Sequence, residues 1–188
     1  MKYLMIPVAL LAVSACVQTV ALAPAGVYEP DAKFTTQLQE DWSHFPKVLT
    51  ATQGSLLTKD GLGLNEVHMI TIESDQAMVK GRKKDNHPVF RADMSALEQV
   101  EFLTSSLAVL GYQNLEAVEV KPETFDSNEG LRINLKGSYP SGLNLSGDVA
   151  MVRHDNQLSM VIYLAPTEHY FDSSSAEVAA IMSSMDIS

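Results

Sequence analysis

Residues 131–164 read LRINLKGSYPSGLNLSGDVAMVRHDNQLSMVIYL. Leu131, Ile133 and Leu135 alternate with Arg132, Asn134 and Lys136; Leu143, Leu145, Gly147, Val149 and Met151 alternate next, and Leu158, Met160, Ile162 and Leu164 after them. Strict alternation is the mark of a strand with one buried face. The connections GSYPSG and HDNQ are short, so these strands should pair antiparallel as a meander. The last of them also carries Val161 and Tyr163 on its other face, which predicts a central strand covered on both sides.

Working backwards, Leu115 to Val120 reads as one more strand. Before it, Ser95-Ala96-Leu97-Glu98 has the capping-box pattern, with Leu97, Val100, Leu103, Leu107 and Leu110 at helical spacing until Gly111, a natural helix stop. Lys59-Asp60-Gly61 signals a turn between two short strands, with Leu62, Leu64, Val67, Met69 and Ile72 as strand positions. Trp42, with Phe45 after it, marks the start of the domain, and Trp42 reads as a core or sheet-edge residue. Ser174 with Glu177 forms a second capping-box pattern, followed by Val178, Ile181, Met182 and Met185 on one helical face. About six strands and two helices give an α+β fold: an antiparallel sheet with a C-terminal meander and two packed helices, in an α/β/α sandwich-like arrangement.

The N-terminus reads as an export signal. Lys2 supplies a positive start, Tyr3 to Val13 an apolar run broken by Pro7, and Ser14 and Ala15 the small residues a signal peptidase accepts. The run is short of the roughly 20 apolar residues that a spanning helix needs. Val13-Ser14-Ala15-Cys16 resembles the lipobox of bacterial lipoproteins. That resemblance implies cleavage before Cys16, acylation of its thiol, and a mature chain attached to the membrane by lipid such as palmitate. The alternative is an ordinary signal peptide with a chance cysteine, which leaves an unpaired thiol on an exported chain. Val17 stands where many inner-membrane lipoproteins carry Asp, so the enterobacterial sorting rule points to the outer membrane, facing the periplasm. The expected organisation is a signal peptide over 1–15, a lipid-anchored flexible tether over 16–37, and one α+β domain over 38–188.

Loss of Lys2 with the signal takes the formal charge from −10 to about −11. Such an acidic chain does not suit nucleic acid, whose phosphates need a basic face. No cysteine remains for a disulfide, so the domain should fold on its core alone, as a monomer without cofactor. His44, His68, His87, His154 and His169 show no metal-ligand spacing, no G-x-S-x-G elbow is present, and no catalytic residue or metal site is expected. Two candidate binding groups stand out. Lys80, Arg82, Lys83 and Lys84 cluster around Gly81, suited to anionic headgroups or an acidic partner, or else forming a solvated loop. His169 and Tyr170, followed by Phe171, sit where the chain turns between the last strand and the last helix; the aromatics there should fill the gap between layers.

Asp60-Gly61-Leu62-Gly63-Leu64-Asn65 and Ala165-Pro166-Thr167-Glu168-His169-Tyr170-Phe171 resemble the "DG.LN" and "AP..HYF" motifs of a group of uncharacterised proteobacterial lipoproteins. The likeness runs from about Trp42 to the end and carries no activity with it. The order of elements also resembles the PsbP-like α/β/α sandwich, which implies docking onto larger assemblies. The function expected is therefore that of a lipid-anchored envelope protein that docks a protein partner or binds a small ligand. The alternative is a periplasmic hydrolase-like enzyme whose site the sequence does not connect.

Overall fold

The computed structural model describes residues 20–81 and 86–187. Its strands in chain order are β1 (Ala21–Ala23), β2 (Gly26–Tyr28), β3 (Thr36–Leu38), β4 (Trp42–Phe45), β5 (Ser55–Thr58), β6 (Glu66–Glu73), β7 (Gln113–Phe125), β8 (Asn128–Ser138), β9 (Asn144–His154) and β10 (Gln157–Pro166). Helix α1 (Ala96–Val109) lies between β6 and β7, and α2 (Tyr170–Ser183) follows β10. Eight strands form one sheet in the order β1-β4-β5-β6-β10-β9-β8-β7, each pair antiparallel, and β2 and β3 make a separate hairpin.

The alternation read from the sequence appears as the β7–β10 meander. β10 lies between β6 and β9, with Leu158 paired to Ile72 on one side and Arg153 on the other, and it is buried from Leu158 to Pro166. Its two faces feed two cores. Leu158, Met160, Ile162 and Leu164 pack with Ile70, Ile133, Val149 and the α1 residues Leu103 and Leu107. Val161, Tyr163 and Ala165 pack with Trp42, Val67, Met69 and the α2 residues Val178, Ile181 and Met182. The helices therefore cover opposite faces, because a strand apolar on both sides needs a layer on each. Each fully buried Leu, Ile or Val contributes roughly 1.5–3 kcal/mol against exposure.

The Ser95–Glu98 box forms as expected: the Ser95 side chain accepts from the Glu98 amide at 3.3 Å, and Glu98 accepts from the Ser95 amide at 2.8 Å. Gly111 sits just past the helix at φ 103°, a left-handed conformation that suits glycine. The expected face is the buried one, with Val100, Leu103 and Leu107 in the core and Leu110 packed against it; only Leu97, in the first turn, departs from it. Leu97 is 68% exposed, while Phe102, Leu103 and Leu107 are buried.

Three expectations are corrected. Strands number ten among the described residues, against about six read from the sequence, because β1 to β5 are three or four residues long and too short to show a period. Leu62 and Leu64 belong to the loop between β5 and β6, which spends those residues on turn geometry. Residues 20–37 are not a flexible tether: β1 joins the main sheet, and Ala23, Tyr28 and Phe34 are core. The β2–β3 hairpin is tied to the end of α2, where Thr36 Oγ1 donates to the Ile181 carbonyl at 2.6 Å. The domain thus begins by residue 20 instead of 38. The signal peptide expected over 1–15 and the lipidated Cys16 lie outside the described residues.

Candidate functional site

Two ends of the sheet gather polar side chains. One, here the tip, is where β6 starts and β10 stops; the other, the base, is where β1 starts and β6 stops.

At the tip, Asn65 is fully buried and organises the loop that carries the Asp60–Asn65 motif. Its Oδ1 accepts from Thr58 Oγ1 at 2.8 Å and from the Lys59 and Asp60 amides at 3.0 Å each, while its Nδ2 donates to Asp60 Oδ2 at 2.7 Å. The motif is a self-closed loop. Next to it, Glu177 of α2 accepts from Trp42 Nε1 at 2.9 Å and pairs with Lys59, whose ammonium also reaches Glu40 at 2.7 Å and lies 5.0 Å over the Trp42 ring. Burial lowers the Lys59 pKa, but the two carboxylates outweigh it and hold the ammonium above its usual value. This latch joins α2 to the β4 and β5 strands.

A second tip cluster stands on the α1 face. Glu66 and His68 are two apart on β6 and so share that face with Ile70 and Ile72. Glu66 accepts from the Gly63 amide at 2.8 Å and from Tyr112 Oη at 2.9 Å. His68 Nε2 lies 3.4 Å from Glu66 Oε2, close enough for Coulomb attraction once the imidazole is protonated, but off the line of a hydrogen bond. Tyr139 stacks edge-on against Tyr112 at 5.7 Å, and its buried hydroxyl has no partner among the described residues. Burial alone would raise the Glu66 pKa; His68, the Gly63 amide and the Tyr112 hydroxyl outweigh it and bring it down to about 2. Burial, with the Glu66 charge, pushes the Tyr112 and Tyr139 phenols far up. A carboxylate that accepts from one amide and one phenol, beside phenols that stay protonated, makes a polar plug poorly suited to proton transfer near neutrality.

The sequence-predicted binding residues fall apart in space. His169 and Tyr170 are at the tip, His169 exposed and Tyr170 half-buried, their rings edge-to-face at 5.1 Å. The helix there starts at Tyr170 with His169 as cap, so Ser174 is not a cap but a buried residue of α2, and Glu177 serves the latch instead of a capping box. Phe171 is half-buried and stacks on Tyr163 at 5.2 Å, whose hydroxyl donates to the Tyr170 and Phe171 carbonyls at 3.0 Å each. Burial raises that phenol to about 12. Lys80 is at the base, where its ammonium donates to the Lys47 carbonyl and to the Thr50 carbonyl at 2.9 Å. It secures the 3-10 turn Lys47–Leu49. Arg82, Lys83 and Lys84 lie outside the described residues.

Sequence reasoning missed Glu66, Tyr112 and the latch. The sign available was Glu66-Val67-His68: two polar side chains on the face that continues as Ile70 and Ile72. The base holds the larger hollows. One of about 580 Å³ is lined by Asp31, Pro46, Lys47, Val48 and Lys80. Another of about 580 Å³ runs between the start of α1 and the Pro122–Thr124 part of β7.

No family model matches the chain, and no curated protein matches it. Among solved structures it is similar to the solution structure of cyanobacterial PsbP (CyanoP) from Synechocystis, with TM-score 0.58 at 9% identity over 93% of this chain and 96% of that one. The fold is PsbP-like. A protein from Bacteroides thetaiotaomicron is similar with TM-score 0.52 at 10% identity, over 88% of this chain and 49% of its own. At these identities the likeness is one of fold: the PsbP-like sandwich of a twisted sheet between two helical layers.

Proposed function

We propose that this chain is a lipid-anchored protein of the bacterial cell envelope, attached through Cys16 and most naturally placed at the outer membrane facing the periplasm. Its PsbP-like domain acts by docking a protein partner or a small ligand and not by catalysis. The observation that carries the non-catalytic reading is Glu66. The acid that burial, an imidazole and two phenols single out already accepts from the Gly63 amide and the Tyr112 hydroxyl and is brought down to about 2, which disfavours it as a proton donor or acceptor near neutral pH. The other half-buried ions, Lys59 with Glu177 and Arg132 with Glu123 and Asp148, are likewise committed to one another.

The lipid reading rests on Val13-Ser14-Ala15-Cys16. Cells fed labelled palmitate should incorporate it into the wild-type chain, which should sediment with membranes. Cys16→Ser should stay unlabelled and leave the membrane fraction. Equal labelling of the two would overturn the anchor. A turnover of ester or glycoside test substrates that vanished in a folded Glu66→Gln variant would move the reading to the hydrolase-like alternative.

A further inference from the structure

Between Cys16 and Val20, the first described residue, there are four backbone steps. A fully extended chain spans at most about 3.3–3.6 Å per residue, so the acylated cysteine would lie within roughly 14 Å of Val20. The headgroup layer is itself several ångströms deep. If Cys16 carries lipid, as proposed above, the base corner of the domain at β1 is pressed against the bilayer with no room for a spacer.

That corner has the surface such contact requires. Ala21 pairs with His44, which places Val20 beside the end of β4, where Phe45 leads through Pro46 into the Lys47–Leu49 turn. Val20 (47%), Leu22 (67%), Val48 (60%) and Leu49 (46%) are all exposed. Leu22 lies on the face opposite buried Ala23, away from α2 and beyond the reach of α1, which packs on β7. Lys47 stands among these apolar residues beside Asp31, and Lys80 holds their turn in place. The opposite edge of the sheet has another character: β7 carries Glu116, Glu119 and Glu123 and lies seven strand spacings from β1. At about 4.8 Å per spacing that is roughly 34 Å along the sheet.

We propose that the β1 corner, formed by Val20, Leu22, Lys47, Val48 and Leu49, is a bilayer-docking face. It seats its apolar side chains among the headgroups of the membrane that holds the anchor, with Lys47 toward anionic lipid and the acidic β7 edge away from it. The domain then stands in one orientation, and its α1 and α2 layers both remain open to the aqueous side. Exposed Val and Leu beside Lys are the composition of an interfacial contact, whose strength adds apolar burial to headgroup attraction.

The test uses the full chain, expressed and acylated, with single cysteines placed at Leu22 or Val48, and at Leu97 or Val118 as controls, each carrying an environment-sensitive fluorophore. Cys16 is alkylated in the acylated chain and does not react. In vesicles of phosphatidylethanolamine with about one quarter phosphatidylglycerol, headgroup-level doxyl lipid should quench labels at 22 and 48 at least about threefold more than labels at 97 and 118. A flexible insertion of about twelve residues before Val20 lifts the geometric restraint. Quenching at 22 and 48 should survive the insertion, and its loss would show that the short link alone held the corner down. Equal quenching at all four positions would also overturn docking. Mass spectrometry of the Cys16 peptide reads acylation separately. If it is absent, the lipoprotein reading fails by itself, and docking is then judged by whether the same labels are quenched when the chain is added to these vesicles.

Discussion

The indole Nε1 of Trp42 donates to the carboxylate of Glu177 at 2.9 Å, across the boundary between the sheet and the last helix. Trp42 is fully buried, so this donor has no access to water as a substitute. Glu177→Ala should leave the indole unpaired and the Lys59 ammonium with Glu40 alone, at a cost of about 1–3 kcal/mol. Glu177→Gln keeps an acceptor for the indole and should lose less. Urea melts followed by the fluorescence of Trp42 read both; wild-type stability in Glu177→Ala would show that the latch is idle.

Asn65 predicts a larger local effect from a smaller side chain. Its one carbonyl oxygen serves three donors, two of them backbone amides of the β5–β6 loop. Asn65→Ala strands those donors and should cost about 2–3 kcal/mol, whereas Asn65→Asp retains the acceptor but sets a second anion against Asp60. Thermal melts should therefore place Asp between wild type and Ala. If Ala is neutral, the motif owes its form to something other than this hub.

These residues also show how far the sequence could be read. The meander and α1 were legible because long alternating runs and a Ser95–Glu98 box leave a period that does not depend on distant partners. Residues 20–45 were not, since strands of three or four residues such as Ala21–Ala23 and Gly26–Tyr28 are held by cross-strand pairing and by Thr36 reaching α2, and neither writes a period. Ser174 and Glu177 fit a capping box by spacing alone, yet the chain caps its helix at His169, five residues before Ser174, and uses the glutamate 135 residues away along the chain, at Trp42. At the candidate site, the loop of Asp60–Asn65 was visible as a turn. The plug built by Glu66, His68 and Tyr112 was not, because it joins β6 to the residue just before β7.

The plug also sets a dependence on pH. Glu66 is held down to about 2 in the folded chain against about 4.5 when exposed, so the folded state binds its proton less readily than the unfolded one. The stability it contributes is present above about pH 5 and is lost as pH falls toward 2, and a shift of this size is worth roughly 2–4 kcal/mol. In Glu66→Gln, stability between pH 5 and pH 2 should fall less steeply than in wild type by about one proton. Parallel acid limbs in denaturant melts would contradict this assignment.

Phe34 tests where the domain begins. It is buried in the core under α2, so Phe34→Ala should cost about 3–5 kcal/mol. A chain starting at residue 36 loses Phe34 together with β1 and β2, and should melt far below one starting at residue 20. Equal midpoints for these two truncations would return residues 20–35 to the role of a tether.

The last prediction concerns His169, where the chain turns from β10 into α2. Its backbone is at φ 72° and ψ −54°, and the Tyr170 amide donates to the Glu168 carbonyl at 2.9 Å. That is the φ-positive γ-turn, which is rare and strained. A side chain in such a conformation costs about 1–3 kcal/mol, whereas glycine adopts it freely but adds about 0.5–1 kcal/mol of unfolded-state entropy. The histidine ring returns little, because it is exposed and touches only the edge of Tyr170 at 5.1 Å. Strain relief should therefore win, and His169→Gly should stabilise the domain by up to about 2 kcal/mol. His169→Ala keeps the strain, loses the ring, and should stay within about 1 kcal/mol of wild type. Denaturant melts of the three chains decide it: glycine below alanine in stability would mean that the turn holds no strain worth relieving, and alanine well below wild type would make the His169 ring a fixed contact of the fold.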